Sequence, residues 1–312
     1  MSSRYVKDLF MKKILNNNLY NEYSRRGYVL SKSVIDEDQC EKLRKYIKSL
    51  IKKNPKSEKN IILHSKCIKD KKIYKILFNN KINEDLKKIF GKNYFVNQFE
   101  IQYNSFPLKR NSGYHYDSQS ERNNSYLKDK NYKFGKVGIY LQDNNIEFGG
   151  GINVVPYSHR IFPIKSLRLE NYIKIFMSFF KKRISSGKGD AIIFDSRLLH
   201  TGTEPHKLLK NKNLISQNEL EKNIKGNDKI AIYWNVCIKE YNNSYLRNSI
   251  ERCIKHELKD SDHKYYSDHL RLHYPSSYSS NFRKQCQDKC INISTLSKEL
   301  AKVMQHIYYL KQ

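Results

Sequence analysis

The sequence contains little cysteine and no long apolar run. Its six cysteines are scattered over 312 residues, too sparsely for the disulfide scaffold of a small secreted domain. No stretch approaches the roughly 18–20 apolar residues that a membrane-spanning helix needs. The first residues also lack an apolar stretch that ends in a small-residue cleavage site, as a secretory signal would. We therefore expect a cytoplasmic protein with no membrane span.

Acidic residues are few relative to basic ones. The chain has 59 Lys and Arg against 31 Asp and Glu, a formal net charge of +28. The basic residues are spread along the whole chain, whereas a dedicated nucleic-acid-binding arm concentrates them in a block interleaved with aromatic residues. Nucleic-acid binding is therefore an alternative that rests on charge alone. The 24 Tyr and 14 Phe supply bulky side chains for the core of one large domain.

One pair of cysteines has a spacing that suits a metal site. Cys286 and Cys290 form a C-x3-C pattern, and His269 and His273 upstream share this spacing. These four side chains could bind a second metal, such as zinc. The alternative is a pair of reduced thiols on a helix.

Helical patterns dominate the first part of the chain and strand patterns the middle. Residues 27–51 predict a short strand and then a helix, and residues 73–91 predict helical turns that end at Gly91. Strand patterns bounded by Gly, Pro or Asp follow at 94–104, 136–143, 150–156, 189–195 and 229–238. Strands grouped in this way favour an antiparallel sandwich or jelly roll over a doubly wound parallel sheet, in which strands and helices alternate.

We expect one compact unit with three parts. Residues 1–93 form an N-terminal helical region with the first strand, residues 94–240 form the β core, and residues 241–312 form a helical C-terminal extension. The core carries a helical insertion at 163–183 and a long polar insertion at 203–228. Because long loops in compact domains are often lids, these insertions are predicted to build the rim of a pocket.

The main chemical pattern is a His-x-Asp sequence after the first core strand. In extended backbone, residues i and i+2 point the same way, so His115 and Asp117 can reach one ion. The best candidate for a third ligand is His200, in a later strand-like segment. Two histidines and one carboxylate on one face of a metal form the facial triad of non-haem Fe(II) enzymes. Alone, His-x-Asp is weak evidence, because a surface histidine beside an aspartate is more common.

The order of the surrounding segments is more specific. A strand, His-x-Asp, two strands with a glycine-rich turn and then GDAIIFDSRLLHTG follow one another. Over residues 25–240 the sequence resembles the phytanoyl-CoA dioxygenase family of Fe(II)- and 2-oxoglutarate-dependent oxygenases. The resemblance includes GYVLSKSVIDEDQCEKLRKYI near the start and YLQDNNIEFGGGINVVPYSHR before the distal histidine. It implies a mainly β chain with flanking helices, folded as a double-stranded β-helix (a cupin-like jelly roll).

The resemblance also implies roles for individual residues. His115, Asp117 and His200 would bind Fe(II), with 2-oxoglutarate as cosubstrate and O2 as oxidant. His159, in the Pro-Tyr-Ser-His segment, is interpreted as structural. The family has Gly in this segment where the chain has Tyr157, a departure that alters the turn or the pocket wall.

A second departure concerns the cosubstrate. The family places an Arg at the start of the strand after the distal histidine, where it pairs with the far carboxylate of 2-oxoglutarate; here Lys229 stands at that position. Lys can neutralise a carboxylate but lacks the bidentate fork of Arg. The alternatives are that Lys207 or Lys210, nearer the histidine, has this role, or that Lys229 is merely one of many basic residues.

Three further polar residues are candidates for the cosubstrate site. Gln98 and Gln102 lie on the strand before His-x-Asp, and the resemblance suggests that they face the pocket. The alternative is that this face of the strand is solvated. Arg197, three residues before His200, either binds the cosubstrate or orients the site.

The resemblance implies an enzyme that hydroxylates a C–H bond of an anionic small molecule, with release of succinate and CO2. Asp117 favours hydroxylation, because related halogenases have Gly or Ala at its position so that a halide can bind. One alternative is an inactive relative that acts as a binding protein, suggested by Lys229. Another is a nucleic-acid-binding protein or nucleic-acid hydroxylase, suggested by the charge. The sequence predicts neither the substrate nor the oligomeric state.

Overall fold

The structure of the chain is a computed structural model, which describes residues 19–52, 60–62, 64–104, 113–144, 150–203, 228–257 and 278–298. Within these ranges the strands are β1 (Tyr28–Ser31), β2 (Asn60–Ile62), β3 (Phe95–Asn104), β4 (Phe134–Tyr140), β5 (Ile152–Val154), β6 (Lys182–Ile184), β7 (Ala191–Asp195), β8 (His200–Gly202), β9 (Lys229–Cys237) and β10 (Asn292–Ile293). Residues 19–26 are helical, and the further helices are α1 (Glu37–Lys52), α2 (His64–Cys67), α3 (Lys71–Tyr74), α4 (Asn80–Phe90), α5 (Leu167–Ser178), α6 (Lys239–Glu257) and α7 (Ser280–Asp288).

The strands form a large sheet and a small sheet. The large sheet has the order β1-β7-β4-β9-β3-β10, with β2 also paired to β3, and the small sheet has the order β6-β5-β8. Neighbouring strands are antiparallel except for β10, which pairs with β3 in parallel. The predicted antiparallel arrangement of the core strands is therefore confirmed.

The alternation of side chains along β9 shows how the large sheet is covered. Ile232 and Trp234 belong to a core cluster that also contains Ile47 of α1 and Leu86 of α4. Tyr233, on the opposite face of β9, belongs to a second cluster that includes residues of β5 and β6. Because successive residues of a strand point to opposite faces, the large sheet packs helices on one side and the small sheet on the other.

A β-bulge changes the faces of β3 from those expected. The register shifts between Asn97 and Glu100, and Gln98 has a φ of +52°. Simple alternation predicts that Asn97 and Phe99 share a face, whereas Val96 and Phe99 both pack in the core on the helical side of the sheet. The predicted face assignment is wrong for the residues before the bulge, because one extra residue reverses the alternation.

The Gly-Asp pair that opens β7 joins the first strand to the core. Gly189 has a φ of +77°, and a Cβ at this position would lie 1.9 Å from the carbonyl oxygen of Ile35. The Gly189 carbonyl accepts hydrogen bonds from the amides of Val34 and Ile35. Asp190 accepts another from the amide of Ser33, at 2.7 Å. This motif therefore fixes the turn between β1 and α1 against the start of β7.

The helical parts of the chain differ from expectation in two respects. Helical residues outnumber strand residues in the described ranges, so the chain is mixed α and β rather than mainly β. The C-terminal region, expected to be helical, contributes β10 to the large sheet as well as α6 and α7. Residues 163–183, expected to be a helical insertion, contain α5 and also the first residues of β6, whereas residues 204–227 of the other insertion lie outside the described residues. In the described chain, no helix is both long and apolar enough to cross a membrane.

Candidate metal centre

The backbone brings His115 and His200 side by side. Their amides and carbonyls exchange two hydrogen bonds, of 3.0 and 2.9 Å, which form an isolated antiparallel bridge. The two imidazole rings lie 4.4 Å apart between centroids. Asp117 follows two residues after His115 and begins a short 3-10 helix, Asp117–Glu121. The three residues predicted as ligands therefore meet where this segment pairs with β8.

The donor atoms of these three side chains converge on one point. The Nε2 atoms of His115 and His200 lie 4.0 and 3.7 Å from Oδ1 of Asp117, and the three ligand atoms lie within 4.8 Å of one another. The Nδ1 atom of His115 lies 3.1 Å from the carbonyl of Gly113, and that of His200 lies 2.8 Å from the carbonyl of Leu198. A carbonyl only accepts, so each Nδ1 carries the proton and each Nε2 presents its lone pair to the metal position.

The charges around this point suit a divalent cation. Burial lowers the pKa of His200 to about 4, so its imidazole is neutral near pH 7, as metal binding requires. Burial alone would raise the pKa of Asp117, but the Lys136 ammonium and the two histidines hold it below its usual value. Two neutral imidazoles and one carboxylate are the donor set of non-haem Fe(II) sites. The residues therefore fit an Fe(II) ion.

A cavity of about 270 Å³ opens beside these residues. It is lined by Gln102, Asn104, His115, Asp117, Lys136, Tyr140, Gly151, Ile152, Phe194, His200, Gly202, Lys229 and Tyr233. Both sheets contribute to this lining, so the cavity lies between them. A Cβ at Gly138 would lie 2.6 Å from the ring of Tyr233, so the glycine leaves space for one wall of the cavity.

Two lysines and two tyrosines form one side of the cavity, which we call the cationic wall (Lys136, Lys229, Tyr140 and Tyr233). Nζ of Lys229 lies 5.7 and 5.9 Å from the ring centroids of Tyr140 and Tyr233. Nζ of Lys136 lies 5.5 Å from the Tyr233 centroid and 3.4 Å from Oδ2 of Asp117. Burial raises the pKa of Tyr140 to about 12, so its hydroxyl keeps its proton. The wall thus offers cations and a hydroxyl donor to an anionic ligand.

Of the four residues in this wall, the sequence predicts a role for Lys229 only. The signal was present in the strands, because Lys136 and Tyr140 lie an even number of residues apart on β4 and so share a face. The same spacing relates Lys229 to Tyr233 on β9. The sequence does not show which face of these two strands points to the metal centre. The arrangement of the two sheets determines this.

The other predicted cosubstrate residues differ in position. Gln102 lines the cavity, and its Nε2 donates to Oε1 of Glu100 at 3.0 Å. Gln98 lies in the bulge of β3 and is not a lining residue; its Oε1 accepts from Nδ2 of Asn235 at 2.6 Å. Lys207 and Lys210 lie outside the described residues. Of the two glutamines, only Gln102 is therefore in place to contact a ligand in this cavity.

Arg197 is directed away from the metal centre. Its guanidinium pairs with Oδ2 of Asp195 at 2.8 Å, donates to the carbonyl of Leu127 at 3.0 Å, and lies 4.2 Å from the ring centroid of Tyr132. It lines a separate cavity to which none of the three candidate ligands contributes. The expected contact with the cosubstrate is corrected accordingly, because the nearby carboxylate of Asp195 holds the side chain elsewhere. Its contacts agree with the alternative role, which is to order the turn before His200.

The Pro-Tyr-Ser-His segment hydrogen-bonds to the backbone next to the distal histidine. Oγ of Ser158 accepts a hydrogen bond from the amide of Leu199 at 2.8 Å. His159 is buried outside the cavity, and its Nε2 lies 3.0 Å from the carbonyl of Ser24. Tyr157 has a φ of +68°, a conformation that favours glycine, which explains the Gly that the family has here. Its side chain is half-exposed and does not line the cavity.

The second metal site predicted at the C-terminus has no complete ligand set in the described chain. Cys286 is buried and Cys290 is exposed, and both are free thiols. His269 and His273 lie outside the described residues. Among the residues that the structure describes, His115, Asp117 and His200 are the only group of three potential ligands close enough to hold one ion.

Solved structures with a similar fold come from iron enzymes of several kinds. The epimerase SnoN, in complex with Fe3+, alpha ketoglutarate and nogalamycin RO, is 13% identical with a TM-score of 0.51, covering 72% of this chain and 84% of SnoN. EctD from S. alaskensis with bound Fe is 14% identical with a TM-score of 0.52, covering 70% of this chain and 75% of EctD. The non-heme monooxygenase ThoJ is 9% identical with a TM-score of 0.50, covering 70% and 76%. These likenesses concern the fold.

The comparison of sequences is more specific. Curated proteins give no significant sequence match. The family model described as phytanoyl-CoA dioxygenase (PhyH) matches residues 23–206, more than half of the 312 residues. The matched range contains His-x-Asp, the Pro-Tyr-Ser-His segment and the distal histidine. The chain therefore belongs to the phytanoyl-CoA dioxygenase family of oxygenases, and its cofactors are the Fe(II), 2-oxoglutarate and O2 that this family uses.

Proposed function

We propose that the chain is an Fe(II)- and 2-oxoglutarate-dependent hydroxylase whose iron ligands are His115, Asp117 and His200. The observation that carries this proposal is the convergence of two Nε2 atoms and one carboxylate oxygen beside a cavity. The Nδ1 hydrogen bonds to backbone carbonyls support it, because metal-binding histidines characteristically donate their second N–H in this way.

The finer fold assignment belongs to the same proposal. We infer that the large and small sheets are the two halves of a double-stranded β-helix. Their shared core, in which Ile152 and Ile184 of the small sheet contact residues of the large one, supports this inference. So does the position of the metal centre, beside a cavity that is lined by residues of both sheets.

Bound iron supplies the oxidative chemistry, in which 2-oxoglutarate is converted to succinate and CO2 while a C–H bond of the substrate is oxidised. The chain positions the reactants. His115, Asp117 and His200 would hold the ion through two Nε2 atoms and one carboxylate oxygen, and the adjoining cavity would admit the cosubstrate to the same ion. Phe194 and Ile152 supply apolar surface on the cavity wall and limit the access of water.

Lys229 is our choice for the residue that binds the far carboxylate of 2-oxoglutarate. It opens β9, lines the cavity, and lies close to the Tyr140 ring, whose hydroxyl can donate to the same carboxylate. Lys136 is closer to the metal end, because its Nζ is 3.4 Å from Asp117. We therefore assign Lys136 to the electrostatics of the metal centre and Lys229 to the cosubstrate.

The cavity also bears on the substrate. Its volume of about 270 Å³ lies just below the range of roughly 300–1,000 Å³ typical of ligand pockets, which suits a small molecule. Two cations in its wall favour a substrate or cosubstrate that carries negative charge. We propose a small substrate because of the cavity volume, and an anionic one because of the net charge of +28, since Lys136 and Lys229 are already assigned to the metal centre and the cosubstrate.

The test is an anaerobic reconstitution followed by air. The full chain is mixed with Fe(II) and 2-oxoglutarate, oxygen is admitted, and succinate is measured against a His200→Ala variant. We expect succinate from the wild type, even without substrate, and none above background from the variant. Tight Fe(II) binding without any succinate would contradict the hydroxylase and favour the inactive relative that acts as a binding protein.

A further inference from the structure

Helix α5 turns most of its large apolar side chains to solvent and a charged side chain to the interior. A surface helix normally turns its apolar stripe to the core and its polar face to water. In α5 the one fully buried residue is Glu170, whereas its large apolar side chains are mostly exposed. The exposed apolar face of such a helix requires an explanation.

The inward face of α5 is held by polar contacts. Oε2 of Glu170 accepts a hydrogen bond from the Tyr116 hydroxyl at 2.7 Å, and its Oε1 lies 2.6 Å from Nζ of Lys174. Nη1 of Arg122 lies 3.6 Å from the same carboxylate. Ile173 packs against the small apolar cluster around Tyr116. The orientation of the helix is thus fixed, and its apolar outer face is a stable feature of the fold.

The outer face is large and continuous along the helix and the turn that follows it. Seven residues have exposed fractions of 51% to 79%: Leu167, Leu169, Tyr172, Ile175, Phe176, Phe179 and Phe180. We call them the apolar face. In the part of the chain that the structure describes, only Tyr20, Tyr157 and Ile161 are other large hydrophobic residues with comparable exposure. Exposed apolar patches of this kind mark binding surfaces.

The charges beside the apolar face have one sign. Residues 161–183 contain six basic residues: Lys165, Arg168, Lys174, Lys181, Lys182 and Arg183. The single acidic residue in this range is Glu170, which is buried under the helix. Lys165, Arg168, Lys181 and Lys182 are exposed. Within residues 161–183 the surface thus combines apolar side chains with cations and presents no carboxylate.

We propose that the apolar face of α5 docks onto an anionic lipid bilayer. A helix that lies in the plane of a membrane has this composition, with aromatic and aliphatic residues for the acyl boundary and Lys or Arg for the lipid headgroups. Self-association of two copies through the same face fits less well, because a two-fold contact would bring the cations of both copies together without acidic partners. The docked helix lies on the membrane and does not cross it.

The first test is flotation of the full chain with phosphatidylcholine vesicles, with and without phosphatidylserine, at physiological salt. We expect binding to the vesicles with phosphatidylserine. The double variant Phe179→Ser/Phe180→Ser should weaken that binding at least about tenfold, because burial of one Phe side chain alone is worth about an order of magnitude. This variant keeps every charge and alters only exposed side chains, so undiminished binding would reduce the effect to non-specific electrostatics and overturn the proposal. Absence of binding by the wild type would overturn it as well.

The second test uses a new tryptophan, since the native Trp234 is buried. Phe179→Trp should show a blue-shifted emission and quenching by brominated lipid when vesicles are added. Gln287→Trp, at an exposed position of α7, should show neither. An unshifted emission of Phe179→Trp would overturn the proposal. So would a dimer in sedimentation analysis that the double serine variant abolishes, because it would make the apolar face a contact between copies.

Discussion

The metal centre and the cationic wall line the same cavity but are built differently. Each histidine of the metal centre is fixed twice, once through the backbone bridge between them and once through an Nδ1 hydrogen bond to a carbonyl. The lysines of the cationic wall reach the cavity on long side chains and lie over tyrosine rings. Coordination requires particular donor atoms at particular places, whereas a carboxylate can be neutralised by Lys or Arg from several positions. The difference explains why the metal centre follows the family pattern and the wall departs from it.

The largest effect is expected at the metal centre itself. His200→Ala removes one of three donors, so we expect Fe(II) affinity to fall by more than about a hundredfold, since even changes behind the ligands cost about 10- to 100-fold. Anaerobic titration with Fe(II) measures this, and far-UV circular dichroism checks that the fold is kept. His159→Gln, a change at a buried histidine outside the cavity, is the matched control and should keep the affinity. Equal Fe(II) affinity in His200→Ala and wild type would remove His200 from the metal centre.

A change in the cationic wall should alter the concentration of 2-oxoglutarate that the enzyme requires rather than its Fe(II) affinity. Lys229→Met removes the charge but keeps much of the side-chain volume, and we expect the 2-oxoglutarate concentration for half-maximal succinate formation to rise about 10- to 100-fold. Lys229→Arg should restore most of the loss, because Arg supplies the same charge with a bidentate fork. Fe(II) affinity should stay unchanged in both variants. An unchanged 2-oxoglutarate requirement in Lys229→Met would place the carboxylate elsewhere.

Lys136→Met tests whether the two lysines have different partners. Its Nζ lies 3.4 Å from Asp117, so its loss removes a cation from beside the metal position. We expect Fe(II) affinity to stay the same or rise, and the 2-oxoglutarate requirement to change by less than about fivefold. The same two measurements on Lys136→Met and Lys229→Met decide the assignment. If Lys136→Met has the larger effect on 2-oxoglutarate, the roles that we give the two lysines are reversed.

The proposed metal ligands could be predicted from the sequence because their signal is local. His115 and Asp117 are two residues apart in extended backbone, and His200 lies in a segment that the family shares. Lys136 could not be assigned in this way, because its approach to Asp117 depends on how β4 is placed in the large sheet. The choice between the two roles of Arg197 stayed open for a related reason: its partner, Asp195, is only two residues away, but the direction of that pair depends on the turn.

The fold was predictable to a similar degree. The strands of the core follow from their apolar patterns and the Gly and Asp residues that bound them. The bulge at Gln98 does not, because Phe95 and Phe99 fit an uninterrupted alternation as well as Val96 and Phe99 fit a bulged one. Nor does the reversed orientation of α5, because the spacing of its apolar residues does not reveal that Glu170 has partners in Tyr116 and Arg122. The faces of elements were harder to predict than the elements.

A smaller effect is expected from a change at Glu170, which joins α5 to Tyr116 beside the metal centre. Glu170→Gln keeps an acceptor for Tyr116, which lies between the two ligands His115 and Asp117, but leaves Lys174 without its ion pair. We expect the free energy of unfolding to fall by about 1–3 kcal/mol, and Fe(II) affinity to fall less than about tenfold. Denaturant unfolding measures the first quantity. Glu41→Gln is the control: its ion pair with Lys188 is largely exposed, so the change should stay within about 0.5 kcal/mol. If the free energy of unfolding fell equally in the two variants, the buried ion pair of Glu170 would stabilise the fold no more than the ion pair of Glu41.

The smallest expected effect separates the two glutamines of β3. Both were predicted to contact the cosubstrate, but only Gln102 lines the cavity, while Gln98 pairs with Asn235 in the bulge. Gln102→Ala should raise the 2-oxoglutarate requirement by about two- to tenfold, the effect of one neutral hydrogen bond. Gln98→Ala should leave that requirement unchanged, whatever it does to stability, because its lost contact lies outside the cavity. The comparison of the two variants in the succinate assay therefore tests the bulge itself: with regular alternation in β3, Gln98 and Gln102 would point to the same face of the sheet, and Gln98→Ala would also change the 2-oxoglutarate requirement.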